Sequence, residues 1–352
     1  MSSFIYLRGL KHADFTVFGV ENGQKTFFDS QFGKSLPYSS GQQVKRSIMD
    51  SFTDSLGTQP APITFISDVK GKGSKMELSE GEPLSLCDPD YPDQLIGGYM
   101  KAESGGTSRT IKRRSPLSIS AMRPLHPYLA TTNKENITFD RSDRPDLHKV
   151  IVRRSDGSQM SDDEVEDLLS GVNRSLHRKW IPDNKRAGGL FVYDVAIDLR
   201  RLFTVSTNQF EPEMTPTIIK GLREKGWTDG EAIFGKCLVA PPDKRQEMTK
   251  ALAHALINWQ ITSNQSRTFS LMETLAVVIS DNANKIASSI RASLKEDSER
   301  AEPIVDESIP GVDAFITPAS SGYLRDVVAS IDALDKAKAE LVKRIETYSS
   351  KY

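Results

Sequence analysis

Cysteine is nearly absent: Cys87 and Cys237 are the only two among 352 residues, and neither stands in a CxxC or Cys/His spacing. That excludes a disulfide framework and a thiolate zinc site as sources of stability. Long apolar runs are missing too. Hydrophobic residues reach 38%, yet no run approaches the roughly 18 residues that would cross a bilayer. The opening MSSFIYLRGLKHADF lacks the charged and apolar regions of a secretory leader and reads as a strand followed by a loop. A soluble, cytoplasmic protein of two or three structural units is expected, with no membrane partner. Walker loop, HExxH, GxSxG and dinucleotide fingerprints are lacking as well. The histidines (His12, His126, His148, His177 and His254) form no close pair suited to general acid–base work. The chain therefore reads as non-catalytic, with no cofactor.

Net charge is also close to nothing, with 46 Lys and Arg against 47 Asp and Glu. Its distribution is uneven. Between Gly106 and Arg154 eleven basic residues face four acidic ones, a local balance of +7, and Ser155 to Gly171 then carries six acids and no base. Such polarity lets two faces attract different partners, including a neighbouring copy of the same chain.

Several elements can be read directly. Phe4 to Leu10 alternates as a first strand, and GQQVKRSIMDSF forms a helix capped by Ser39 or Ser40, with Val44, Ile48 and Phe52 as its buried stripe. ITFISDV reads as a second strand. From about Lys70 to Arg186 the periods are short and broken, as in an inserted subdomain, within which SPLSISAM and KVIVRR are predicted strands and SDDEVEDLLSGVN a helix. GGLFVYDVAIDL is the strongest strand. A Gly-containing excursion leads from it to the strand AIFGKCLVAP. Pro241 and Pro242 then open a helix to Trp259, followed by the strand LMETLAVVIS and the helix NANKIASSIRASL. An acidic linker over Lys295 to Glu307 and an amphipathic helix from Leu324 to Ile345 complete the pattern. The order β-α-β, insertion, β, flap, β-α-β is that of an α+β, ferredoxin-like (RNA-recognition-motif-like) sheet interrupted by excursions.

The most informative segment is Ser40 to Arg46. Gln42 and Lys45 are spaced i, i+3 near the helix start, where free amides, the Ser40 hydroxyl, the Gln42 amide and the Lys45 ammonium are expected to converge on one anion. Such a set suits a phosphodiester and reads no base. The stretch LPYSSGQQVKRSIMDSF resembles the signature of the Cascade backbone family of CRISPR-associated proteins, within the repeat-associated mysterious protein superfamily. Ser40, Gln42, Lys45 and Arg46 match that family's Ser-x-Gln-x-x-Lys-Arg helix. The run Lys112-Arg113-Arg114-Ser115-Pro116, after the Asp- and Gly-rich CDPDYPDQLIGGYM, is similar to its basic strand. The resemblance extends over residues 3 to 290.

That resemblance implies an RNA-binding backbone subunit: copies stack into a filament along one CRISPR guide RNA, beside other complex subunits, and present it to target DNA. It implies a palm in residues 1–67, 188–200 and 236–292, a finger insertion in 68–187 and a hairpin thumb in 201–235; residues 293–352, outside the resemblance, read as an acidic linker and a packing helix. Ser40, Gln42, Lys45 and Arg46 would hold the guide backbone, and Lys112, Arg113 and Arg114 would line the same groove or the target-strand path. Asn264 and Arg267 are further phosphate candidates. Phe203, Phe210 and Trp227 are stacking candidates in or beside the thumb, although Phe203 continues the strand pattern and Trp227 also suits hairpin packing. Two alternatives stand beside this reading. One is a metal-dependent RNA endonuclease using Asp88, Asp90 and Asp93, which Pro89 and Pro92 interleave as in ordinary turns. The other is a self-assembling protein that needs no RNA.

Overall fold

The first strand extends well past Leu10: β1 runs Phe4–Thr16 in the computed structural model of the chain. The structure describes residues 2–19, 23–71, 76–79, 81–102, 109–140, 150–172, 176, 178–262, 268–296 and 299–349, with backbone alone over 136–140 and 178–183. Ile5 and Leu7 are buried on one face of β1, while Tyr6 and Arg8 are half-buried on the other. Helix α1 (Gly41–Leu56) is capped by Ser40 and closed by Gly57 in the left-handed region at φ 63°. Val44, Ile48 and Phe52 are fully buried, as their spacing predicts. Each contributes about 1.5–3 kcal/mol.

Helix α2 (Pro92–Gly97) precedes the strands β2 (Leu117–Ile119) and β3 (Ala130–Asp140). Helix α3 (Asp162–Leu169) leads to the 21-residue strand β4 (Arg178–Asp198). A separate three-stranded sheet holds β5 (Thr204–Ser206), β6 (Thr228–Ala232) and β7 (Gly235–Val239), with helix α4 (Pro216–Glu224) between the first two. Helix α5 (Pro242–Asn258), strand β8 (Thr274–Ser280), helix α6 (Ala283–Ser289), strand β9 (Val312–Ile316) and helix α7 (Ala333–Ser349) follow.

The central sheet has the order β2-β4-β1-β8-β9, with neighbouring strands antiparallel. Helices α1, α5 and α7 share one hydrophobic core on one face. On the other, Leu10, Val192 and Val278 are covered by α6 and by the hairpin Ile290–Leu294 with Ala301–Val305. β4 also pairs with β3 from Ala130↔Gly189 out to Asp140↔Arg178, and past Ala187, its last partner position to β1, the two continue as a two-stranded ribbon. Gly9 lies opposite Tyr193, and a Cβ there would sit 2.2 Å from that ring. The Tyr193 hydroxyl donates to the Leu256 carbonyl at 2.8 Å and its ring meets Trp259 edge-on. Only glycine leaves room for this packing.

Several expectations are corrected. Ile63–Ile66 is a strand but pairs with Glu82–Ser85 in an outlying, exposed hairpin, so β2 takes its expected place beside β4. The strand in AIFGKCLVAP belongs to the three-stranded sheet, and the flap contains a helix, α4. KVIVRR forms no ladder among its described residues. Val150 and Val152 line a pocket with Met160, Val165 and Leu169, and Arg153 makes an isolated bridge to Gln159. The helix in NANKIASSIRASL stops at Ser289, because Ile290 is fully buried in extended backbone (φ −106°) and starts a strand. Part of the acidic linker is that strand's partner. The last helix starts at Ala333, with Ile331 almost wholly exposed before it. Among the described residues no helix is long and apolar enough to cross a membrane.

Candidate nucleic-acid interface

The start of α1 is fixed by the chain that follows β2. Ser39 exchanges both backbone hydrogen bonds with Met122, at 2.9 and 3.0 Å, and the Ile119 carbonyl approaches Gly41 so closely that a Cβ would lie 3.1 Å from it. The Ser40 hydroxyl oxygen accepts from the Gln43 amide at 3.3 Å, so the cap is made within the helix. Gln42 is exposed, and one turn later Arg46 is 78% exposed with Asp50 3.9 Å away.

Lys45 does not join them. Its ammonium donates to the Gly97 carbonyl at 2.5 Å, at the C-terminal end of α2, and burial lowers its pKa. The expected i, i+3 convergence with Gln42 is therefore replaced by the i, i+4 pair Gln42 and Arg46. At about 100° per residue, positions 45 and 46 diverge to opposite sides of position 42, and α2 packs on the Lys45 side. Lys45 anchors α1 to α2 and is withdrawn as a phosphate ligand.

The basic run 112–114 also divides. Tyr99–Lys101 pairs with Ile111–Arg113, and alternation leaves Lys112 and Arg114 exposed while Arg113 turns inward. The Arg113 guanidinium donates to the carbonyls of Leu95, Thr204 and Arg201 at 3.0, 2.9 and 2.8 Å and to Glu213 at 3.1 Å. Glu213 also accepts from the Ser206 amide at 3.0 Å. Burial lowers the Arg113 pKa and the Glu213 carboxylate opposes it. This arginine ties α2 to the three-stranded sheet, a correction to its place among the groove residues.

Two of the three stacking candidates are internal. Phe203 is buried with its carbonyl accepting from Ala240, and Trp227 is buried with the Lys244 ammonium 5.9 Å from its ring. Neither can wedge between bases. Phe210 is 84% exposed and stands beside Arg109, which donates to the Gln209 and Phe210 carbonyls at 2.8 and 3.4 Å. In the sequence Arg109 is one of the eleven cations of the basic block; its proximity to Phe210 depends on a contact 101 residues apart. Asn264 and Arg267 lie outside the described residues, as do His148 and His177.

The acidic trio is occupied by protein partners. Asp90 receives Lys225 and Lys244 at 2.7 and 2.5 Å. Burial raises its pKa, but the two lysines prevail and hold it below the usual carboxylate value. Asp93 accepts from the Ala61 amide at 3.1 Å, and Asp88 from the Asp90 amide at 2.9 Å. Among the described residues no three His, Cys, Asp or Glu side chains form a potential metal-binding group.

No family model and no curated protein matches the chain. In backbone it is similar to a chain of a CRISPR RNA-guided surveillance complex, pre-nicking, at 11% identity and TM-score 0.45, covering 98% of this chain and 89% of that one. It is also similar to a chain of a CRISPR RNA-guided surveillance complex at 12% identity and TM-score 0.44, covering 96% and 99%. Likeness at this level assigns neither a partner nor an activity.

Proposed function

We propose that this chain is a non-catalytic backbone subunit of a CRISPR RNA-guided surveillance complex, several copies of which coat one guide RNA and present it for target-DNA pairing. The observation that carries the reading is the pair Gln42 and Arg46, both exposed, one turn apart beside the start of a well-capped 16-residue helix. An amide, a guanidinium and helix-start amides together form a site for a phosphate that ignores the attached base. The Ser40–Arg46 signature described above supports it. Exposed Lys112 and Arg114 extend the cationic surface, and Phe210 with Arg109 offers a stacking group in the proposed thumb. The strand order β2-β4-β1-β8, with α1 and α5 on one face, is read as a ferredoxin-like palm, and the outlying hairpins and the β3/β4 ribbon as fingers. With Asp90 held by two lysines, the nuclease alternative has no supporting ligand set among the described residues.

A guide binder purified from cells should carry nucleic acid that ribonuclease removes, seen as a fall in the 260/280 nm absorbance ratio. Binding of single-stranded RNA by the full chain should weaken steeply with salt, and Arg46→Ala should reduce that slope by about one. RNA binding with an unchanged slope would remove α1 from the RNA path.

A further inference from the structure

The central sheet is not fully covered on the face opposite α1. At its β2 side, beside α6, a groove of about 430 Å³ is floored by Tyr6 and Ala196 and bounded by Arg8, Ser118, Asp194 and Ala283, within the size range of ligand clefts. Register explains the opening. Tyr6 lies opposite Ala196, which lies opposite Ser118, so one large ring faces two small neighbours across the row. Tyr6 is stacked along the strand on Phe4, centroids 6.0 Å apart and planes 19° from parallel. The Arg200 guanidinium lies 4.7 Å from the Phe4 ring. A planar group thus has an aromatic surface to continue, with the exposed Ser118 hydroxyl at its edge.

The charge at the groove end is unbalanced. Arg8 binds Asp194 through two nitrogens at 2.6 and 3.2 Å, and Arg123 reaches the same carboxylate at 3.3 Å. Two guanidinium groups share one carboxylate. The second amino group of Arg123, Nη1, is buried without a hydrogen-bond partner. The Arg123 side chain as a whole is 43% exposed, so its charge stays open to an anion arriving from solvent. Tyr6 supplies the aromatic surface inside the groove, Ser118 a hydrogen-bonding edge, and Arg8 in the wall with Arg123 beside it the excess positive charge.

We infer that this groove is a second RNA contact, in which one nucleotide of single-stranded RNA stacks its base on Tyr6 and directs its phosphate toward Arg123. The inference rests on the RNA-binding reading but uses neither α1 nor the thumb. The test is fluorescence anisotropy of a mixed-sequence single-stranded RNA with the full chain across a salt series, together with ultraviolet cross-linking and peptide mapping. Ser118→Glu, on the exposed edge of the sheet, and Tyr6→Leu should each weaken binding roughly tenfold. Arg123→Gln should reduce the salt slope by about one. The cross-linked peptide in the wild-type chain should contain Tyr6, and Ser118→Glu should suppress it. If Arg46→Ala weakens binding while Ser118→Glu leaves affinity and cross-link unchanged, the groove is overturned and the α1 reading stands. A folded wild-type chain that binds no RNA overturns that reading, and the groove falls with it.

Discussion

Arginine has opposite fates in the hairpin ending at Arg113 and on helix α1. Arg113 has no exposed side-chain surface and donates to three carbonyls and a carboxylate, whereas Arg46 is 78% exposed with a single loose partner. Both stand beside other basic residues, Arg113 between Lys112 and Arg114 and Arg46 next to Lys45. A guanidinium removed from water must have its donors satisfied, and then holds elements together. One left in water gains little from its neighbour and stays available to a partner. Charge density along a sequence therefore identifies cations without identifying their use; strand parity and burial do that.

The sharpest way to break this comparison is Arg113→Ala. Buried Glu213 would keep only the Ser206 amide at 3.0 Å and the Arg201 guanidinium at 3.5 Å, three carbonyls would lose their donor, and unfolding in urea should show a loss of about 3–5 kcal/mol. A loss under about 1 kcal/mol would mean that the network is not structural. A third cation sharpens the contrast. Lys11 is fully buried, donating to the Thr274 hydroxyl at 2.9 Å and the Met272 carbonyl at 3.2 Å, neither of them a charged partner. Burial pulls its pKa down to about 7, against the pull of Glu273. The folded chain thus releases a proton near neutrality that the unfolded chain keeps until about pH 10.4. Stability should therefore rise with pH through that window, and Lys11→Met should flatten the rise in denaturation curves taken across it. Equal slopes would show Lys11 to be neutral or charged in both states.

Asp90 works in the acid direction. Its folded pKa is depressed, so its contribution is complete above the unfolded carboxylate value and is lost as pH falls through the folded one. Asp90→Asn should be less stable at neutral pH and lose less on acidification, as acid-unfolding curves would show; parallel curves would exclude the Lys225–Asp90–Lys244 link as a stabiliser. The smallest effect belongs to Arg46→Ala, which should change stability by no more than about 0.5 kcal/mol. A loss resembling that of Arg113→Ala would erase the distinction between the two arginines.

The parts legible in the sequence were those set by local rules. The cap and i, i+4 stripe of α1 and the alternation at Phe191, Tyr193, Val195 and Ile197 need no knowledge of distant chain. What misled depended on partners. Ile63–Ile66 and Leu117–Ile119 are similar short apolar runs, and only tertiary pairing decides which joins the central sheet. Strand β9 is short and mostly half-buried, with little alternation to reveal it. At the candidate site, exposed Gln42 and Arg46 follow from helical geometry, whereas the turning aside of Lys45 depends on α2, more than forty residues away. Arg113 lies in a three-residue strand, too short for parity to be read, and Phe203 and Trp227 needed the three-stranded sheet to show that they are internal.

The unbroken run of β4 has a mechanical meaning. Past Ala187, its last pairing with β1, the ribbon with β3 runs on for the nine residues 178–186 of β4 at about 3.3 Å each, a reach of roughly 30 Å. The same backbone carries Tyr193, which is wedged between Gly9 and Trp259. A pull applied at the far end of this lever arrives at the Tyr193 ring through peptide bonds alone, without first having to slide one packed layer over another.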